Sequence, residues 1–203
     1  MNTKIKLCGL KSVKDIEMVN RLKPDYVGFV MWEHSHRNIT RDELVTFKGM
    51  LDKDIKAVGV FVDEDVYLIA SLINDGLIDI AQLHGSEDND YIDTLRNLTD
   101  NKAVIFKAFK TDAVSIENAR KSHGDFLLFD PGKGDGMTFS WEIIKNFERP
   151  YFLAGGLNSD NVTDAIKFLH PYGVDVSSGI ETDKIKDPYK AEMFVRKVRS
   201  LDL

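Results

Sequence analysis

The sequence predicts a (β/α)8 barrel, on two observations: eight short apolar runs, each bounded by turn residues, and longer segments with helical spacing between them. The runs are too short to be helices. Several are apolar almost throughout, as parallel strands covered on both faces must be. An open doubly wound sheet usually has fewer strands, which leaves the closed barrel as the better match. No linker, low-complexity tract or charge block divides the 203 residues, so residues 1–203 are read as one domain.

In chain order, the first strand is IKLC (5–8), followed by SVKDIEMVNRL (12–22), where Val13, Ile16, Val19 and Leu22 share a face. The next strands are YVGFVM (26–31), KAVGVFV (56–62), IDIAQL (78–83), AVIFKAF (103–109), FLLFD (126–130), YFLA (151–154) and GVDVS (173–177). SDNVTDAIKFL (159–169) repeats the helical pattern with Val162, Ala165, Ile166 and Leu169. Ser12, Thr40, Asp63, Thr111, Ser140 and Ser159 stand where helices would begin, each able to accept a bond from first-turn amides.

Composition narrows the function classes. With 27 basic against 33 acidic residues the net charge is -6, which argues against a nucleic-acid or membrane-surface partner. No run approaches the ~18 apolar residues of a membrane span. Lys4 and Lys6 interrupt the start of the chain, so it lacks a signal-like apolar block. A single cysteine, Cys8, forms no internal disulfide, and a cytoplasmic location is expected. Five histidines (34, 36, 84, 123 and 170) show no metal-ligand spacing, and neither a metal nor an organic cofactor is expected.

Chemistry in such a barrel sits at the C-terminal ends of the strands. The strongest signal there is for phosphate. AGGLNSDN (154–161) follows strand seven and SSGIE (177–181) follows strand eight, so Gly155, Gly156, Ser177, Ser178 and Gly179 can form a nest of backbone amides. Either pair alone could be ordinary turn glycines; two clusters at these two strand ends favour a phosphate site. PGKGDG (131–136) follows strand six and could close over the same region.

Cys8 ends strand one, Asp130 ends strand six and Asp175 lies within strand eight. Cys8 reads either as a small buried hydrophobe or, from its place at a strand end, as a base. Asp130 reads as a turn or capping residue, or as an acid whose proton affinity is raised by Phe129, Phe139 and Trp141 near it in sequence. A phosphate between strands seven and eight would leave a sugar spanning the mouth, with Cys8 toward one side and Asp130 toward the other. Asp175 alternates with Val174 and Val176 and points inward, where it needs sugar hydroxyls, Cys8 or a structural network as partner. His84, in QLHG, lines the mouth but is as well explained by local backbone bonding and is kept out of the catalytic set. Arg37 lies in the loop after strand two.

KLCGLKSVKDI (6–16), VGFVMWEHSHRNIT (27–40), VGVFVDED (58–65), AQLHGSED (81–88), LLFDPGKGDGMTFSW (127–141), FLAGGLNSDNV (152–162) and GVDVSSGIETDKIKDPYKAEMFVRKV (173–198) together resemble the phosphoribosylanthranilate isomerase family. The resemblance implies an Amadori rearrangement of a phosphoribosyl aminoaldose in tryptophan biosynthesis. It implies Asp130 as general acid, Cys8 as general base, Arg37 as ligand of the anthranilate carboxylate, and a monomer or weak homodimer. Gly9, lacking a side chain, would let the substrate approach the thiol. His36, Asp135 and Ser140 depart from the family pattern, and Asp135 would put a negative charge near the phosphate and Asp130. Two rivals remain: a catalytically silent phosphosugar-binding barrel, and another phosphate-binding barrel isomerase. A metal-dependent epimerase would need histidines at several strand ends. The indoleglycerol-forming barrel would show lysines where this chain has Cys8 and Val62.

Overall fold

The structure is a computed structural model that describes residues 3–130 and 141–201. Eight parallel strands close into a barrel in sequential order. They are β1 (Lys4–Cys8), β2 (Tyr26–Val30), β3 (Lys56–Phe61), β4 (Ile80–Leu83), β5 (Val104–Phe109), β6 (Phe126–Phe129), β7 (Tyr151–Leu153) and β8 (Gly173–Val176). Outside them lie α1 (Val13–Leu22), α2 (Arg41–Met50), α3 (Val66–Asn74), α4 (Asn89–Leu98), α5 (Ala113–Lys121), α6 (Val162–Leu169) and α7 (Pro188–Arg199). Between β6 and β7 the described helical element is a 3-10 turn at Trp141–Ile144. A small hairpin, β9 (Glu181–Thr182) and β10 (Ile185–Lys186), sits between β8 and α7. Among the described residues no helix is long and apolar enough to cross a membrane.

Period-two alternation divides the core into two layers. Ile5, Leu7, Val27, Phe29, Leu127, Phe129, Val174 and Val176 join the helices in the outer layer. Val58, Ile80, Phe106, Ala108, Leu128, Phe152 and Ala154 fill the barrel interior. In that interior the bulky Phe106 and Phe152 have ring centroids 4.8 Å apart. Ala108 and Ala154, one step further along their strands, leave room at the mouth.

Away from the mouth, Asp25, Asp79 and Asp125 each immediately precede an even-numbered strand. Each carboxylate accepts the amide near the start of the odd strand before it: Ile5 at 2.9 Å, Ala57 at 2.8 Å and Ile105 at 2.8 Å. β4 begins at Ile80 rather than at Ile78.

Three helix starts differ from the sequence reading. Ser12 and Thr40 do cap α1 and α2, with Thr40 and Glu43 forming a reciprocal capping box. Asp65 rather than Asp63 caps α3, and Asp112 rather than Thr111 caps α5. Asp63 instead takes a left-handed backbone (φ 51°), and its Oδ1 accepts from the Ser86 amide and hydroxyl at 2.6 and 2.7 Å. At α6 the cap position falls to Asn161, not Ser159; its Oδ1 accepts from the Asn158 amide at 2.9 Å. PGKGDG (131–136), Asp135, Phe139 and Ser140 lie outside the described residues.

Candidate active site

Cys8 is the last residue of β1 and is buried. Its ladder partner is Gly28 on β2. A Cβ on Gly28 would stand 2.4 Å from Cys8 Sγ, so the strand is bare where the thiol rests. The chain then turns at Gly9, whose φ of 80° is a left-handed conformation suited to glycine. A Cβ there would meet Arg37 Cδ at 2.4 Å. The space beside Gly9, expected to admit substrate, is therefore occupied by the stem of Arg37.

Two residues before Cys8, Lys6 points into the barrel and is fully buried. It is the ladder partner of Asp175, and its Nζ donates to Asp175 Oδ1 at 2.9 Å. Burial opposes the charge on Lys6, but Asp175 and then Cys8 outweigh it, and its pKa lies above the ordinary lysine value. Asp175 thus has its partner from β1. For Cys8, burial pushes the pKa up; Lys6 and Lys186 pull it down less strongly, and the net direction is up.

Asp130 follows β6 directly, and its amide donates to Phe109 O at 3.0 Å. Its Oδ2 lies 3.8 Å from His84 Nε2. His84 Nδ1 is 3.0 Å from Gln82 Nε2, so a donating amide makes Nδ1 the acceptor and puts the ring hydrogen on Nε2, toward Asp130. Burial lowers the His84 pKa and keeps the ring neutral near pH 7; Asp130 opposes this, while Lys6 and Lys107 assist. Asp130, His84 and Phe109 line a cavity of about 750 Å³ that continues outward between α4 and α5 past Asn89, Asn118 and Lys121. Its wall includes neither Cys8 nor Arg37, which stand on the β1–β2 side of the mouth.

The glycine loops after β7 and β8 lie against each other. Gly155 and Gly156 have φ of 78° and 65°. A Cβ on Gly179 would fall 1.9 Å from Leu157 O, so the loop after β8 lies directly on the loop after β7. Asn161 Nδ2 holds Gly156 O at 3.0 Å. Ser178 is exposed and opens a 3-10 turn, Ser178–Ile180. The Ser177 hydroxyl donates to Cys8 O at 3.1 Å and lies 3.3 Å from Lys186 Nζ.

Arg37 does not stand alone. Its Nε and Nη2 donate to Glu181 Oε1 and Oε2, both at 2.7 Å. Lys186 Nζ donates to the same Oε1 at 2.7 Å and to Ser177 O at 3.0 Å. Glu181 and Lys186 face each other across β9 and β10, which are joined by Asp183 and Lys184, both left-handed (φ 50° and 64°). This is the two-residue turn that matches strand twist. Burial works against ionisation of Glu181, but bonds from Arg37 and Lys186 outweigh it and hold its pKa at about 2, below the ordinary 4.5. A depressed folded-state pKa stabilises the fold above the unfolded value, and that stabilisation is lost as pH falls from 4.5 toward about 2. Thermal midpoints across this window are expected to fall more steeply for the natural chain than for Glu181→Gln.

Lys6, Glu181 and Lys186 were not singled out in the sequence. Lys6 was legible as a lysine on the same strand face as Cys8; Glu181 and Lys186 became partners only through the turn between them. Among the described residues, no group of three or more His, Cys, Asp or Glu side chains is placed to hold a metal ion.

The family model for N-(5'-phosphoribosyl)anthranilate (PRA) isomerase matches residues 5–197. The chain belongs to this isomerase family. Relatives named N-(5'-phosphoribosyl)anthranilate isomerase include those of Thermoanaerobacter sp. (strain X514) and Endomicrobium trichonymphae, each 43% identical. The first alignment covers 98% of both chains, the second 98% of this chain and 99% of the relative. A crystal structure of phosphoribosyl anthranilate isomerase from Thermotoga maritima superposes with a TM-score of 0.87 at 29% identity, covering 98% of this chain and 99% of that one. Another, in complex with reduced 1-(o-carboxyphenylamino)-1-deoxyribulose 5-phosphate, gives 0.84 at 28% identity, with the same coverage. The chain is accordingly an enzyme, an isomerase of tryptophan biosynthesis, on the (β/α)8 barrel its sequence predicts.

Proposed function

We propose that this isomerase performs an Amadori rearrangement in which Asp130 is the general acid and Cys8 the general base. The substrate is N-(5-phosphoribosyl)anthranilate and the product 1-(2-carboxyphenylamino)-1-deoxyribulose 5-phosphate. The observation that carries this reading is the placement of Cys8 and Asp130 at the ends of β1 and β6, with the joined glycine loops after β7 and β8 between them in the ring of strands.

Asp130 gives its proton to the ring oxygen as the C1–O bond breaks and the anthranilate nitrogen lone pair closes a C=N bond. Cys8, as thiolate, then takes the C2 proton. The electrons of that C–H bond form C1=C2, and the iminium nitrogen regains its lone pair. The enolamine tautomerises to the ketone by losing its C2 hydroxyl proton and gaining one at C1. The substrate's nitrogen is the electron sink, so the scheme calls on no cofactor. Lys6 and Lys186 supply positive charge beside the thiolate, and a C2–H next to an iminium needs only a modest base. Gly155, Gly156, Ser178 and Gly179 take the phosphate, Ser177 ties that loop to Cys8, Asp175 orients Lys6, and Arg37 takes the anthranilate carboxylate. One barrel domain over residues 1–203, as a monomer or weak homodimer, suffices.

The test is rescue of a tryptophan auxotroph lacking this isomerase, paired with decay of anthranilate-type fluorescence on freshly prepared substrate. Rescue and turnover are expected. Soluble protein that binds the phosphosugar without either would replace this reading with the silent binding barrel.

A further inference from the structure

We infer that Glu181 is a positioning residue that fixes Arg37 so that one edge of its guanidinium is presented to a substrate carboxylate; this rests on the reading of Arg37 above. A guanidinium is planar and offers two bidentate edges, one made by Nε and Nη2 and the other by Nη1 and Nη2. Glu181 takes the first, with both bonds at 2.7 Å. Among the described residues nothing engages the second. A carboxylate meeting that edge finds two parallel donors already aligned.

The support behind Glu181 is unusually complete for a residue on a surface hairpin. Lys186 bonds its carboxylate, Lys190 Nζ donates to its backbone carbonyl at 2.7 Å, and the Asp187 amide donates to Ile180 O at 2.8 Å. Glu181 is also the more sheltered member of the pair, with its side chain 7% exposed against 21% for Arg37. The Arg37 stem is pressed against Gly9. Both ends of this long, rotamer-rich side chain are therefore fixed before substrate arrives, which removes an ordering cost from binding.

Charge follows the same logic. Arg37 and Lys186 together outweigh Glu181 by one positive charge, so an incoming carboxylate meets a net cation although a carboxylate already sits there. Through Lys186 and Ser177 the group is also joined to the loop that holds Gly179, which makes the carboxylate anchor and the phosphate anchor one connected unit. The part of the substrate selected this way is an aryl amine carrying a carboxylate.

The experiment compares two ligands by calorimetry: reduced 1-(o-carboxyphenylamino)-1-deoxyribulose 5-phosphate and its phenylamino counterpart without the carboxylate. The natural chain is expected to bind the first at least about tenfold more tightly, the discrimination a good charged bidentate pair gives. Glu181→Gln is expected to remove most of that preference while changing affinity for the second less than about twofold. In an Arg37→Met background the same change is expected to add nothing. Glu181→Asp keeps the charge beside Lys186 but cannot reach both donors, and is expected to be intermediate; it serves as the readout if the glutamine variant does not fold. Equal losses for both ligands, or an undiminished preference in both variants, would overturn the inference. A natural chain with no preference for the carboxylated ligand would overturn it as well. A chain that shows the preference and its loss in Glu181→Gln, yet fails to turn over substrate, would overturn the catalytic reading alone.

Discussion

Asp130→Asn is expected to lower kcat by about 10²–10⁴-fold while leaving the affinity for the reduced product analogue within about threefold. The amide has nearly the shape of the carboxyl but cannot deliver a proton to the ring oxygen, so ring opening loses its acid. The backbone bond from the residue 130 amide to Phe109 O does not depend on the side chain, and the position at the end of β6 is retained. Arg37 and the loops after β7 and β8 are untouched, which keeps binding near normal. Steady-state kinetics beside calorimetry separates the two effects; kcat within tenfold of the natural enzyme would remove Asp130 from the role of acid.

Cys8→Ser is expected to cost a similar factor in kcat, because a hydroxyl is a far weaker base than a thiolate at any workable pH. Packing and chemistry predict opposite patterns for Cys8→Ala. A packing role would give a stability loss of about 2 kcal/mol or more with kcat near normal. A base role gives kcat near zero with a smaller loss on urea unfolding. Because Cys8 is the only cysteine, thiolate absorbance reports this residue alone. Burial outweighs the two lysines, so in the unliganded enzyme the thiolate is expected to form at higher pH than it does in an ordinary exposed cysteine. A plateau at neutral pH would contradict that balance.

The barrel was legible because its signal is repetitive: each strand is a compact apolar run, and parallel strands buried on both faces leave no ambiguity about which side must be covered. Strand ends were less legible: the apolar run starts at Ile78, whereas β4 begins at Ile80, after Asp79 has bonded to β3 through both its amide and its carboxylate. Helix starts at Asp65 and Asp112 were missed in favour of neighbours at 63 and 111, since any short polar residue can cap and only geometry decides which one turns toward the amides. Strand-end logic put Cys8, Asp130 and the glycine loops at the C-terminal ends of strands one, six, seven and eight, where the structure has them. The partners were harder to see. Lys6 meets Asp175 because β1 and β8 close the ring, a contact between residues at opposite ends of the chain. Arg37 meets Glu181 across the same closure, and no local pattern encodes such pairs.

The aspartates at 25, 79 and 125 give the barrel a grain. Each binds an odd strand to the even strand after it, and Tyr172, which stands in the corresponding place before β8, has no carboxylate to do the same. At the end remote from substrate, three quarters of the ring is thus stapled as two-strand cells, while the last cell is left to other contacts. That unstapled cell carries both glycine loops, so a ligand held by them would tighten from above the cell that lacks a carboxylate staple beneath.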